Sequence, residues 1–252
     1  MAPMTSHPKP DPAKGIFETM LVVRGEPVMP TAHLARLETS LEAVYGIGLP
    51  ARTREVVTER AADLELGRLR LTIAPAEAGD PEPHLEVDAG ELDGWPHFPE
   101  RPVTLRPHPV IGGLGCHKWA DRAVLPTPPP GVAPLLVDGD QVLEAAWANV
   151  FAVRRGALFT PPLDGRILPG VTRATTIEAA RTRGIEVVEN AIPLADLQLA
   201  NEVFLTNSIR GIEIVDSVVG TPLEAPGPVT TMLRSDLRRA WNLAPAPAGT
   251  RH

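Results

Sequence analysis

The stretch "GLGCHKWADR", residues 113–122, decides how the chain is read. It contains Lys118, one of only three lysines among 24 basic residues. The other two, Lys9 and Lys14, lie in a proline-rich N-terminal segment. A chain that uses arginine almost everywhere keeps a lysine where a neutral primary amine is needed. A guanidinium stays protonated and cannot act as an amine nucleophile, whereas an ammonium in an apolar pocket loses its proton readily. The competing reading of an isolated lysine is a solvated side chain. Its setting argues otherwise, because it follows a Gly- and Pro-rich run, "GWPHFPERPVTLRPHPVIGGLG" (94–115), that reads as a connection between two folded units.

Working outward, the N-terminal side predicts a small α+β unit. Residues 1–14 read as a flexible tail, "IFETMLVV" (16–23) as a strand and "RGEP" as its turn. Thr31 is the expected cap of a helix running to about Tyr45, with Leu34, Leu37, Leu41, Val44 and Tyr45 as its apolar stripe and Gly46 as its stop. A second helix is expected over 52–64. Strands are expected at "RLRLTIAP" (68–75), where Leu69, Leu71 and Ile73 alternate, and at "HLEVDA" (84–89). A short strand around 102–106 precedes the linker.

The C-terminal side is denser in strands: "PLLVD" (134–138), "QVLEAAW" (141–147), "VFAVRR" (150–155), "ALFTP" (157–161), "IEVVEN" (185–190), "EVFLTN" (202–207) and "IEIVDSV" (212–218). Helices are expected over 171–184 and 227–241. This spacing fits a barrel or coiled sheet better than regular βα alternation. The expected division is a tail at 1–14, a small domain at 15–105, a linker at 106–117, a larger domain at 118–243 and a disordered tail at 244–252.

Composition excludes several classes of function. A net charge of −7 disfavours a nucleic-acid partner, which requires a basic face. No apolar run approaches the roughly 20 residues of a membrane span, and the N-terminus has no apolar signal segment. The single cysteine, Cys116, leaves no intrachain disulfide, and His33 and His117 lack the spacing of a metal pair, so no metal is expected. A cytoplasmic protein is the resulting expectation.

Four further segments carry chemistry. "RILPGVTRATT" (166–176) puts Gly170, Val171 and Thr172 at a helix start, which is either an anion site or a plain turn capped by Thr172. Arg36, between Leu34 and Leu37, is either a half-exposed helix arginine or a phosphate clamp. Glu144 lies in the apolar strand "VLEAAWANVF". It either faces solvent on an edge or pairs with a protonated ring nitrogen. "TNSIRG" (206–211) leaves its strand through Thr206, Asn207 and Ser208, which suits a turn or an anion contact.

In this order, "GIFETM", "HLARLETSL", "HKWADR", "VLEAAWANVF", "LPGVTR" and "NEVFLTNSIRGI" resemble the class IV pyridoxal-phosphate (PLP) enzymes of fold type IV. These include branched-chain and D-amino-acid aminotransferases and aminodeoxychorismate lyases. The resemblance runs from about residue 15 to 217. It implies an α/β (α+β) fold of two domains, with PLP at the seam and a homodimer acting on a small-molecule amine. It also implies that Lys118 is the Schiff-base lysine and general acid/base, and that Glu144 faces the pyridine nitrogen. Arg36, the Val171 and Thr172 amides and Ser208 then form the phosphate cup. Asn149 matches a structural asparagine, and Thr19 a small polar position near the substrate. Within the family, "FLTNSIRGI" and the compact length look most like aminodeoxychorismate lyase, which forms 4-aminobenzoate and pyruvate for folate synthesis. The alternatives are an aminotransferase on branched-chain or D-amino acids, or a PLP-binding homologue without turnover. Many relatives carry an arginine two residues after the position of Thr19, where this chain has Leu21.

Overall fold

The protein is represented by a computed structural model that describes residues 9–76, 82–92 and 97–243. The outer parts of both expected tails, 1–8 and 244–252, lie outside the described residues.

The first sheet is antiparallel, in the order β2-β1-β3-β4, and is made of β1 (Ile16–Val23), β2 (Glu26–Pro27), β3 (Leu66–Ala74) and β4 (His84–Glu91). Strict alternation along β3 sends Leu69, Leu71 and Ile73 inward, as the sequence predicts. They meet Ile16, Met20 and Val22 of β1 and the stripe Leu34, Leu37 and Leu41 of helix α1 (Pro30–Tyr45). Helix α2 (Thr53–Ala61) contributes Val57 and Ala61 to the same core. The expected Thr31 cap is not one. Pro30 opens the helix, and Met29 occupies the N-cap in a left-handed conformation with no side-chain bond.

The second sheet runs β10-β9-β8-β12-β13-β5-β6-β7-β11. Its strands are β5 (Val103–Pro109), β6 (Val132–Asp138), β7 (Gln141–Ala145), β8 (Asn149–Arg154), β9 (Ala157–Thr160), β10 (Val187–Glu189), β11 (Ile192–Pro193), β12 (Glu202–Asn207) and β13 (Gly211–Val218). A short β14 (Thr221–Pro222) pairs with β13. A tight turn in which Ala145 and Ala148 exchange backbone hydrogen bonds joins β7 to β8. The run from β8 round to β7 is thereby brought back on itself, and Leu105, Leu135, Val150, Leu205 and Val215 fill its interior. On the outside, α3 (Val171–Thr182) and α5 (Pro228–Ala240) pack on Phe151, Phe204 and Ile212, while the small α4 (Leu194–Gln198) adds Leu197 to the interior cluster.

Two expectations are corrected. The strand around 102–106, assigned to the small unit and its linker, is β5, and it pairs in parallel with both β6 and β13. The larger sheet therefore starts at Val103, upstream of the expected linker 106–117. The inner part of the N-terminal tail is also held in place. Pro12–Lys14 form a 3-10 turn, and Asp121 accepts from the Asp11 N–H at 3.0 Å and from Lys14 Nζ at 2.9 Å.

The two units join along β1. Phe17 N–H donates to the Lys118 carbonyl at 2.9 Å, and Ala120 N–H to the Gly15 carbonyl at 2.9 Å. The segment after the glycine-rich run thus lies alongside β1 like a short added strand. Gly113 permits this path: its φ is +70°, and a Cβ there would collide with the Arg166 carbonyl.

Candidate active site

At the seam lies one cavity of about 350 Å³, and Lys118, Thr19, Arg36, Glu144, Val171, Thr172 and Ser208 all line it. Residues up to 189 positions apart in sequence are brought to one concavity by three devices: the pairing of β1 with 118–120, the β7–β8 turn and the start of α3.

Lys118 projects toward the Phe17 ring, with Nζ 4.8 Å from its centroid, and makes no ion pair among the described residues. Burial, reinforced by the Arg36 charge, lowers its pKa from 10.5 to about 7. A large fraction of the amine is therefore neutral at neutral pH, as a nucleophile or proton acceptor requires.

Glu144 is 8% exposed, so the solvent-facing edge reading is excluded. Its Oε2 accepts from Asn149 Nδ2 at 3.3 Å and from the Leu168 N–H at 3.3 Å. Both donors are neutral, and burial pushes the carboxyl up to about 8. Asn149 Nδ2 also donates to the Leu168 carbonyl at 2.9 Å, which ties β8 to the loop before α3. A Cβ at Gly170 would overlap Asn149 Oδ1, so the loop passes this close only as glycine.

At the start of α3, Gly170 is the N-cap and offers no side chain to the first N–H groups. Thr172 is not the cap. It is the second helical residue, 3% exposed, with its hydroxyl 3.3 Å from that of Ser208. Arg36 closes the opposite side. Its Nε and Nη2 grip Glu18 at 2.7 Å each, and its Nη1 donates to the Pro169 carbonyl at 2.9 Å. One N–H on each terminal nitrogen remains for a ligand. Unpaired helix N–H groups, two hydroxyls and a fixed guanidinium form a donor set that fits a phosphate.

Sequence reasoning passes over Glu18 and weighs His33 only as a metal ligand. Glu18 is 1% exposed, and besides the Arg36 fork it faces His33 Nδ1 at 2.8 Å. Despite burial, the Arg36 charge and the His33 hydrogen bond pull its carboxyl down to about 2. Burial lowers the His33 pKa and keeps the ring neutral, so Nδ1 is the donor to Glu18. The signal was present, since Glu18 is the one acid in an apolar strand, as Glu144 is in its own. Leu21 is fully buried among Phe98, Phe151 and Phe204, and this position is closed to a substrate.

The amino-transferase class IV family model matches residues 133–218. The chain is 40% identical over 95 residues to the branched-chain-amino-acid aminotransferase of Salmonella typhimurium, a match covering 37% of this chain and 31% of that enzyme. The matched stretch spans less than half the length of the curated relatives. Over the whole fold, the 4-amino-4-deoxychorismate lyase from Pseudomonas aeruginosa superposes with a TM-score of 0.78 at 26% identity, covering 90% of this chain and 91% of that one. A hypothetical aminotransferase from Mycobacterium tuberculosis, solved in a PLP-bound form, superposes with a TM-score of 0.73 at 24% identity, covering 91% and 89%. The fold is that of the fold-type IV enzymes.

Proposed function

We infer that the protein is a PLP-dependent lyase that converts 4-amino-4-deoxychorismate to 4-aminobenzoate and pyruvate, a step that supplies a folate precursor. The observation that carries the reading is one cavity lined both by a desolvated lysine and by a separate phosphate-type cradle. PLP, when bound, withdraws electrons from the carbon that carries the substrate amine. Arg36, the Val171 and Thr172 N–H groups and Ser208, which line the cavity, would bind its phosphate and orient its ring. Glu144 would stand opposite the ring nitrogen and keep a proton there, since a cation beside it would return the carboxyl to its ionised form. Lys118 would hold the cofactor covalently through its Nζ. Once freed, its Nζ takes the proton from the carbon bearing the amine and returns one to the departing enolpyruvyl group. Pyruvate leaves, the ring becomes aromatic, and no water or oxidant is consumed. Thr19, on the cavity side of β1, assists proton transfer.

The preference for a lyase rests on the likeness to the Pseudomonas lyase, which extends over nine-tenths of both chains. The curated relatives favour a second reading, an aminotransferase that uses the same Lys118 chemistry but returns the proton to the cofactor. Incubation with 4-amino-4-deoxychorismate, followed by fluorescence detection of 4-aminobenzoate, tests the first. Amino transfer from an amino acid to a keto acid, with no 4-aminobenzoate formed, selects the second. PLP uptake with neither reaction selects a binding protein. A homodimer is proposed from the family resemblance, and light scattering of the purified protein checks it.

A further inference from the structure

Among the described residues, several buried or half-buried arginines meet carboxylates. Arg36 meets Glu18, Arg173 meets Glu189, Arg210 meets Glu213 and Arg234 meets Glu100, each within 3.0 Å. Four arginines line the active-site cavity; Arg36 and Arg68 meet carboxylates there, and Arg70 and Arg122 depart from that pattern. Arg70 stands directly across from Thr19 in the β1–β3 register, and its guanidinium lies 3.9 Å from the Phe17 ring centroid. It has no hydrogen bond or ion pair among the described residues. Arg122 reaches from the loop after Lys118 to the β7–β8 turn, where Nη2 donates to the Ala146 carbonyl. That bond fixes the head of the side chain but neutralises no charge, and Arg122 has no carboxylate within ion-pair distance among the described residues.

The acids that act on these charges are Glu144 at Arg122, and Glu86 and Asp88 of β4 at Arg70; none is within ion-pair distance of them, and the reading above commits Glu144 to a ring nitrogen. Two partly desolvated guanidiniums with no carboxylate in direct contact are well placed to take an anion from outside. The phosphate-type cradle is a different part of the cavity, built on Arg36 and the start of α3. The second cationic wall therefore suits a second anion.

We propose that Arg122, with Arg70 as the second cation, holds a carboxylate of the substrate at the β7–β8 side of the cavity. This inference rests on the functional reading above. It also explains how recognition proceeds with Leu21 sealed in the core: the arginine is supplied by the segment after Lys118 and by β3 instead of by β1.

The test compares 4-aminobenzoate with 4-aminobenzamide, its uncharged analogue of nearly equal shape, by calorimetric titration of the PLP-loaded protein. The wild type is expected to bind the acid at least about ten-fold more tightly than the amide, as for a charged hydrogen bond. Arg122→Gln and Arg70→Gln are expected to remove most of that preference by weakening the acid alone, and Arg122→Lys to restore part of it. The amide dissociation constant and the cofactor absorbance band serve as internal controls for folding and cofactor geometry. The proposal is overturned if the wild type does not prefer the acid, if Arg122→Gln weakens acid and amide alike, or if it shifts the cofactor band and leaves the preference intact. Failure of the wild type to take up PLP at all overturns instead the functional reading on which this one stands.

Discussion

Two acids, Glu18 and Glu144, are buried in apolar strands of the two units, and burial pushes the pKa of both upward. Glu18 ends near 2 and Glu144 near 8. The difference lies in their neighbours. Glu18 holds a two-pronged grip on the Arg36 guanidinium and accepts a third bond from His33, so its charge is fully answered within the protein. Glu144 receives only an amide and a backbone N–H, both on the same oxygen, so its other oxygen and its charge wait for a cation. A buried carboxylate with its own counter-ion is architecture, and one without it is a binding site for a cation.

That contrast is broken most severely at the lysine between the two. Lys118→Met should abolish turnover and leave no covalently held cofactor, as measured by product formation and denatured mass. The same variant should raise the stability of the cofactor-free protein at pH 7 by roughly 1–4 kcal/mol, because a buried amine with a lowered pKa costs stability at every pH below 10.5. Denaturant titration checks the sign.

Glu18→Gln should come next. Removing one partner leaves Arg36 uncompensated, at a cost on the order of 3 kcal/mol in denaturant unfolding. The pH dependence sharpens the comparison. Glu18 has a depressed pKa, so its contribution is complete above about 4.5, its unfolded value, and is lost as pH falls toward about 2. Glu144 has a raised pKa, so its cost is absent below 4.5 and grows as pH rises toward about 8. In cofactor-free protein, Glu144→Gln should therefore flatten the loss of stability between pH 4.5 and 8, by roughly 1–3 kcal/mol at the upper end. Glu18→Gln should flatten the loss below pH 4.5 and leave the upper range alone. Identical profiles for the two variants would contradict the distinction. The smallest effect is expected for Ser208→Ala, which removes one hydroxyl from the cradle. PLP affinity should fall by about three- to ten-fold with little change in stability, as read from cofactor titration.

Much of this arrangement was legible in the sequence because it follows from local pattern. The alternation along β3, the stripe of α1 with its Gly46 stop and the strand Glu202–Asn207 are properties of short windows, and they appear where periodicity placed them. The seven residues expected at the site line one cavity, and ordered motifs, not single residues, point to them. What was not legible depends on contacts across the chain. Nothing within "VTLRPHP" reveals that β5 pairs with β13, more than a hundred residues away. Glu18 passed unremarked because its partners, His33 and Arg36, lie on the following helix. The Thr31 and Thr172 caps failed for a simpler reason. A threonine near a helix start suggests a cap, but Pro30 and Gly170 already set those boundaries.

The central claim is that the one lysine of the folded seam carries the cofactor. The direct measurement is borohydride reduction of the PLP-loaded protein, followed by mass-spectrometric peptide mapping. With only three lysines in the chain, the outcome is unambiguous. The account predicts a reduced pyridoxyl adduct on the peptide containing Lys118. An adduct confined to Lys9 or Lys14, or a loaded protein with no adduct at all, would contradict it.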